Sequence, residues 1–532
     1  MVQQGDKTAQ QISDKQEKQS PQRKGTESLE ENKIEDESKK DEKNRSEKSG
    51  GDLVIGDDWN CTPLNTPIRR RLEMLAVIWH CTSIPFFACV FLVTLSLGFF
   101  FWLGIVVPYL IWWYCFDLKT PTNGKSAYRI KPWVRNMVIW EWFVHYFPIR
   151  VHKMCELEPT YSDVMVETEG NASDEEDLVS EESSSSFDLL LKIGLRKRSI
   201  VSQNNGNGKN RSKKKLTLFK HLATGPRYIF GYHPHGVVSM GVMGAFANNV
   251  ILNEPFEAPL RFLKSFFHDP SQGKRLLPGI GNVFPLTLTT QFVLPFYRDY
   301  LLSLGITSAS ANNIRKLISN GNNSVVLVIG GAQESLLNSL VKRAAENTES
   351  KAPNLMETES PFEVEKSERK IRLVLNKRKG FVKIAIELGN VALVPTFAFG
   401  EADVYNVVQP SAGSLAEKFQ LWVKKNFLFT IPYFSARGVF FYNFGLIPYR
   451  CPINICMGRP IYVPPGLCDQ FIKENQDNPT ILQTETSKRP SQHIPQSIID
   501  HYHSLYVDEL KRVYEQNKAK FGYSDVELII TE

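Results

Sequence analysis

From Met74 to Phe116 the chain carries no Asp, Glu, Lys or Arg, and Phe, Leu, Ile, Val and Trp crowd the stretch. No other feature restricts the fold as much. One spanning helix takes about 20 apolar residues, and this run is about twice that. Two short spans joined near Thr94 to Gly98 fit it, as does a re-entrant hairpin of the same residues. A helical hairpin hidden in a soluble core fits poorly, because buried core segments run to only about 10 to 14 residues. Arg69, Arg70 and Arg71 precede the run, and Lys119, Lys125, Arg129, Lys131 and Arg135 follow it. With both flanks basic, the positive-inside rule puts both on the cytosolic side. Trp112, Trp113 and Tyr114 would then sit at headgroup depth, where amphipathic rings are favoured. Residues 72–116 are therefore expected to form a hydrophobic membrane hairpin.

The flanking segments differ sharply in composition. Residues 1–58 are rich in Lys, Glu, Gln and Ser, bury too little apolar surface to offset chain entropy, and are expected to be disordered. They show no apolar core followed by a small-residue cleavage site, so no cleavable secretory signal is expected. The segment 117–163 mixes Trp, Phe and Tyr with Arg and His, most densely over Trp133 to Val151, and reads as interfacial. Residues 164–215 form an acidic, then basic, flexible insertion, and a second polar block interrupts the chain at about 341–370. The eight cysteines contain no Cys-x-x-Cys and suit reduced, packed thiols. The net charge of +6 is built from opposing blocks, and basic residues do not interleave with aromatic ones as nucleic-acid binding requires.

The remainder, 216–532, alternates β-rich runs with helical stretches, which argues for an α/β domain: a mixed sheet with flanking helices. Expected strands are 227–232, 324–331 and 391–400. Helices are expected over 378–389, ending at Gly389 as a C-cap would, and over Ser497 to Asn517. In the latter, Ile498, Tyr502, Leu505, Tyr506, Leu510 and Val513 recur at helical spacing and read as a core stripe.

The chemistry is concentrated in a few short motifs. "YHPHG" sets His233 and His235 either side of Pro234 just past a strand, and Gly236 admits a positive φ or a close backbone approach. An imidazole titrating near neutrality can take the proton of an alcohol attacking a carbonyl. The same pair could ligate a metal or be a hydrogen-bonded turn. No third-ligand pattern of zinc type accompanies it, so no metal is expected. Gly330 and Gly331 end the next strand and Glu334 follows, where functional groups of α/β sheets gather, although a helix-start carboxylate reads the same way. Lys377, Arg378 and Lys379 precede a helix, either as a solvated face or as a phosphate-binding patch. There is no nucleophile elbow, phosphate loop or dinucleotide fingerprint.

Taken in order, "YFP" (146–148), "YHPHG", "RDYLLSLG" (298–305), "VIGGAQESL" (328–336), "RKGFVKIA" (378–385), "LVPTFAFGE" (393–401) and "GLIPY" (445–449) closely resemble the type 2 diacylglycerol acyltransferase family. That family includes monoacylglycerol and wax-alcohol acyltransferases. The likeness runs from about Arg69 to the C-terminus, excluding the tail and both insertions. It implies a glycerolipid-acyltransferase-like fold in the endoplasmic reticulum membrane, multi-pass with cytosolic termini, and also at the lipid droplet surface. It implies acyl transfer from acyl-CoA to diacylglycerol, making triacylglycerol, with acyl-CoA as cosubstrate and no cofactor. Related glycerolipid acyltransferases carry His-x4-Asp. Here Val238 stands five positions after His233 and Met240 five after His235. The orienting acid must come from elsewhere, and Glu334 is the candidate.

On this reading His235, or else His233, is the general base, and Glu334 holds its imidazole tautomer. Backbone N–H groups at Gly236, Gly330 or Gly331 stabilise the oxyanion. Arg378 and Lys379 meet the CoA phosphates. The acceptor alternatives are monoacylglycerol and a long-chain alcohol. Outside enzymes, a lipid-droplet scaffold remains, and homo-oligomerisation stays open. A channel is disfavoured by the few polar residues in the apolar run.

Overall fold

The computed structural model describes residues 66–170, 214–270, 273–331, 334, 369–408, 414, 415, 418, 422, 433–439, 445–467 and 494–532. The tail, most of the first insertion and most of the second insertion lie outside the described residues.

The charge-free run forms two helices. Helix α1 (Ile68–Ser96) and helix α2 (Phe99–Thr122) are each long and apolar enough to cross a membrane. They meet at Leu97–Gly98, where the indole N–H of Trp102 donates to the Leu95 carbonyl at 2.9 Å. Two π-helical turns, Trp102–Val106 and Trp113–Asp117, interrupt α2. Much of both helices is exposed, with Phe99 and Phe100 bare at the tip. Such a surface is unfavourable in water and suits hydrocarbon.

Polar contacts tie this pair to the remaining domain. On α1 the buried Glu73 receives Arg450 at 2.5 Å, and the Trp79 indole donates to the Tyr300 hydroxyl at 3.2 Å. At the end of α2, Asp117 accepts from Arg129 at 2.6 Å and also pairs with the fully buried Arg298, whose guanidinium donates to the Asp117 carbonyl at 2.8 Å. Arg129 reaches on to Asp299 at 2.7 Å, which also takes the Tyr109 hydroxyl at 2.7 Å.

The aromatic stretch Trp133–Val151 does not form one interfacial helix. A four-residue helical turn (Pro132–Arg135) and a short helix, α3 (Ile139–Tyr146), share it, and Trp140, Phe143, Tyr146 and Phe147 are buried in the core. Trp140, Phe143 and Phe147 recur at spacings of three and four, so the helix turns one aromatic face inward against α1. Trp133, outside that helix, stays exposed.

The following elements are strands β1 (Arg150–Lys153), β2 (Tyr161–Gly170), β3 (Lys214–Ala223) and β4 (Arg227–His233), then helix α4 (Met240–Ala245). Next come β5 (Asn282–Thr287), α5 (Tyr297–Ser303), β6 (Thr307–Ser308), α6 (Ala311–Ser319), β7 (Asn323–Val328) and β8 (Arg369–Val374). Helix α7 (Gly380–Leu388), strands β9 (Val391–Phe399), β10 (Asn406–Val408), β11 (Tyr433–Ser435), β12 (Asn454–Met457) and β13 (Ile461–Val463), helix α8 (Gln496–Asn517) and strand β14 (Val526–Thr531) complete the order.

The main sheet runs β1-β12-β9-β4-β7-β5-β6, with β13 also on β9. It is mostly parallel: only β12 and β13 oppose β9. Strand β4 is central, pairing in parallel with β7 and β9. Its alternation divides the core. Tyr228, Phe230 and Tyr232 face the layer containing α3 and α4, and Ile229 faces the layer of α7 and α8. Of the stripe on α8, Ile498, Tyr506, Leu510 and Val513 are buried as expected, whereas Leu505 is exposed. Its position on the helix puts it at the edge of the buried arc.

Candidate active site

Three neighbouring parallel strands end along one edge of the sheet, and each is followed by a motif residue. Strand β4 runs into His233–Gly236, β7 into Gly330, Gly331 and Glu334, and β9 into Gly400 and Glu401. In parallel sheets the carboxyl ends of adjacent strands form the crevice where ligands bind. Residues up to 168 positions apart in sequence are brought together here by strand register alone.

His235 is partly buried at this edge. Its ring Nδ1 lies 2.9 Å from the Gly236 carbonyl oxygen. A carbonyl only accepts, so Nδ1 carries the proton and Nε2 keeps its lone pair. Burial lowers the pKa of this imidazole, and the bond to Gly236 opposes that shift. The neutral form is thus the one held near pH 7. Gly236 has φ +62°, a conformation a side chain would strain, and this aims its carbonyl at the ring.

Glu334 is fully buried but does not touch the imidazole. Its Oε1 accepts the backbone N–H of His235 at 2.7 Å, and its Oε2 accepts that of Val374 at 3.2 Å. The expected carboxylate–imidazole contact is therefore replaced by a backbone contact. Space explains the change: a Cβ on Gly330 would lie 1.7 Å from Oε2, so the carboxylate folds back under the strand end. Burial pushes the Glu334 carboxyl up to about 7, against the two N–H donors and the charge of Arg378.

His233 is sealed from solvent. Its Nε2 lies 3.0 Å from the hydroxyl of Tyr506 on α8, and that hydroxyl donates to the Gly231 carbonyl at 3.1 Å. With the phenol proton committed to Gly231, Nε2 donates to Tyr506, and Nδ1 is left bare and unpartnered. Desolvation takes this imidazole down to about 3, so it stays neutral. The two histidines thus divide: His235 presents a lone pair at the accessible edge, and His233 ties the turn to α8.

Glu401 holds the far end of the turn. Its Oε1 accepts from the Met240 N–H at 2.7 Å, and its Oε2 accepts from the Gly241 N–H at 2.9 Å and from the Tyr232 hydroxyl at 2.5 Å. Burial pushes this carboxyl up to about 7 as well, against those three donors.

The basic triplet lies on the loop between β8 and α7. Arg378 is exposed there, near enough for its charge to act on Glu334. Lys379 is already engaged by Asp500 of α8 at 2.6 Å, and Lys377 pairs with Glu532. Tyr232, Tyr506 and the role of Glu401 escaped the sequence reading. The available signals were the glycines: Gly231 inside an apolar strand and Gly241 at a helix start both mark a close approach.

Comparison with known proteins supplies the class of chemistry. A family model described as diacylglycerol acyltransferase matches residues 96–167, 214–345 and 359–471. The chain is 36% identical over 471 residues to diacylglycerol O-acyltransferase 1 of Saccharomyces cerevisiae, covering 88% of each protein. Against diacylglycerol O-acyltransferase 1 of Eremothecium gossypii it is 36% identical over 484 residues, 91% of this chain and 83% of that one. It is 30% identical over 472 residues to 2-acylglycerol O-acyltransferase 1 of Bos taurus, 88% of this chain and 98% of the relative. No solved structure matches. The family match and the relatives together show an acyltransferase enzyme of lipid metabolism. The chain belongs to the diacylglycerol acyltransferase family.

Proposed function

We propose that this enzyme transfers an acyl group from acyl-CoA to the free hydroxyl of diacylglycerol, with His235 as general base and no acyl-enzyme. The observation that carries the reading is the His235 imidazole itself, with Nδ1 committed to the Gly236 carbonyl and Nε2 bare at the carboxyl edge of the sheet. Nε2 takes the hydroxyl proton as the oxygen attacks the thioester carbonyl. The tetrahedral oxyanion collapses, the C–S bond breaks, and the imidazolium returns its proton to the departing thiolate. Backbone N–H groups at Gly236, Gly330 or Gly331 are the proposed oxyanion donors, each worth about 3 kcal/mol in well-studied sites. Glu334 steadies His235 through its backbone.

Arg378 is the proposed partner of a CoA phosphate, with Lys379 available if it leaves Asp500. Acyl-CoA is then the cosubstrate and no other cofactor is used. A glycerolipid-acyltransferase-like fold, in the endoplasmic reticulum membrane and at the lipid droplet surface with cytosolic termini, completes the reading. The names of the relatives support the lipid chemistry, and two apolar helices able to span a membrane support the membrane setting. Monoacylglycerol is a second acceptor to weigh, because a 2-acylglycerol O-acyltransferase is among the relatives.

The test is transfer from labelled acyl-CoA in membranes of cells lacking triacylglycerol synthesis, with diacylglycerol, monoacylglycerol and fatty alcohol offered in parallel. Triacylglycerol formation that His235→Ala lowers about 10²- to 10⁴-fold supports the reading. Equal activity of His235→Ala, or transfer to another acceptor alone, refutes it.

A further inference from the structure

We infer that Glu401 is a positioning residue for acyl transfer: by holding the Met240–Gly241 end of the turn, it keeps His235 in place at the other end. This rests on the reading of His235 as the base.

The turn between β4 and α4 is gripped by two buried carboxylates. Glu334 takes the N–H of His235, and Glu401 takes the N–H groups of Met240 and Gly241. Between these grips, the Ser239 hydroxyl donates back to the His235 carbonyl at 2.9 Å. A continuous chain of contacts therefore leads from Glu401 through Met240 and Ser239 to His235. Glu401 also takes the Tyr232 hydroxyl, so one carboxylate joins the strand before the turn to the helix after it.

The neighbouring backbone is shaped around this carboxylate. A Cβ on Gly241 would lie 2.8 Å from Glu401 Oε2, and one on Gly236 would lie 3.1 Å from Glu401 Cγ. Glu401 itself follows Gly400, whose N–H is fixed by the Tyr523 hydroxyl at 2.8 Å. A group placed only to fill space would not need three donors converging on two oxygens. Two of those donors belong to the first two residues of α4, directly after the turn that carries His235.

Glutamine at 401 keeps the size but has one acceptor oxygen, so at least one N–H of the pair faces an NH2 group. The full chain is assayed in membranes with labelled acyl-CoA and diacylglycerol, comparing wild type, Glu401→Gln, Glu401→Asp, Tyr232→Phe and His235→Ala. The expected result for Glu401→Gln is a kcat lower by about 30-fold, as loss of a hydrogen bond to a charged group implies, with both KM values within about twofold. Its midpoint falls by only a few degrees, so the folded amount at the assay temperature stays near wild type. Tyr232→Phe, which leaves both N–H contacts, loses less.

A kcat for Glu401→Gln within about threefold of wild type overturns the inference, as does an activity loss fully accounted for by lost folded protein. If Glu401→Gln does not accumulate, Glu401→Asp, which keeps the charge but shortens the reach, is judged by the same criteria. An active His235→Ala overturns the base reading and this inference with it. An inactive His235→Ala beside a fully active Glu401→Gln overturns this inference alone.

Discussion

Gly231→Ala adds one methyl group in the central strand and should disturb both the fold and the turn. The new Cβ would lie 1.9 Å from the Tyr506 hydroxyl oxygen, 2.7 Å from Ile329 Cδ1 and 2.8 Å from Tyr506 Cζ. Tyr506 cannot easily retreat, because its ring packs edge-on against Phe381 at 4.8 Å within the buried face of α8. Overpacking of this kind costs about 1–3 kcal/mol, and the displaced hydroxyl forfeits its contacts with His233 and Gly231, at about 0.5–1.5 kcal/mol each. Together that is about 2–6 kcal/mol, which for a domain larger than about 250 residues lowers the thermal midpoint by roughly 3–10 °C. The assay is the aggregation midpoint of the detergent-solubilised full chain, with acyl transfer measured on the same preparation. Tyr506→Phe removes the oxygen that clashes most, so Gly231→Ala with Tyr506→Phe should recover part of the lost midpoint. A Gly231→Ala midpoint within about 2 °C of wild type refutes the reasoning, as does a double variant no better than the single one.

Two further outcomes follow from the buried charges. Acyl transfer should fall as pH drops through about 7, where Glu334 and Glu401 begin to gain protons. Stability should not fall with it. Between 4.5 and about 7 the two raised carboxyls hold protons that the unfolded chain lacks, so their contribution rises as pH falls. Below 6.5 the lowered His233 and His235 act oppositely, because the unfolded chain then binds protons the fold excludes. Initial rates and thermal midpoints measured in parallel from about pH 8 to 6 check this, and a rate loss that tracks the midpoint would sink it. Separately, Arg298→Ala takes one of two arginines from the buried Asp117, which keeps Arg129, and should cost about 1.5–3 kcal/mol. Lower accumulation and a lower midpoint are expected, and unchanged values would show that the pair contributes nothing.

The strands that carry the site were legible because each is an apolar run closed by Gly or His-Pro, and β4, β7 and β9 lie close to the expected ranges. The two apolar helices were equally plain from the missing charges. Parallel pairing was not legible: nothing in the linear order says that Glu401 and Glu334 flank the same strand. The contact of Glu334 with the His235 backbone depends on a bare Gly330, a spatial fact with no periodic trace. Tyr506 looked like one more residue in a stripe, since spacing reports the face of a helix and says nothing of a hydroxyl reaching a glycine. Arg298 and Asp117 stand 181 residues apart, and only the folded chain pairs them.

The grips on the apolar pair have a further meaning. Glu73 with Arg450, and Asp117 with Arg298, fasten each helix to a motif segment of the same domain that carries His235. A hinge at either place would let the domain bob above a lipid surface. In the proposed membrane setting, helices fastened this way work as a gauge: the depth to which they sink sets the height of the histidine turn. The proposed long-tailed acceptor must then rise to that height to reach His235, and the reach of its headgroup becomes a criterion of selection before any pocket is consulted.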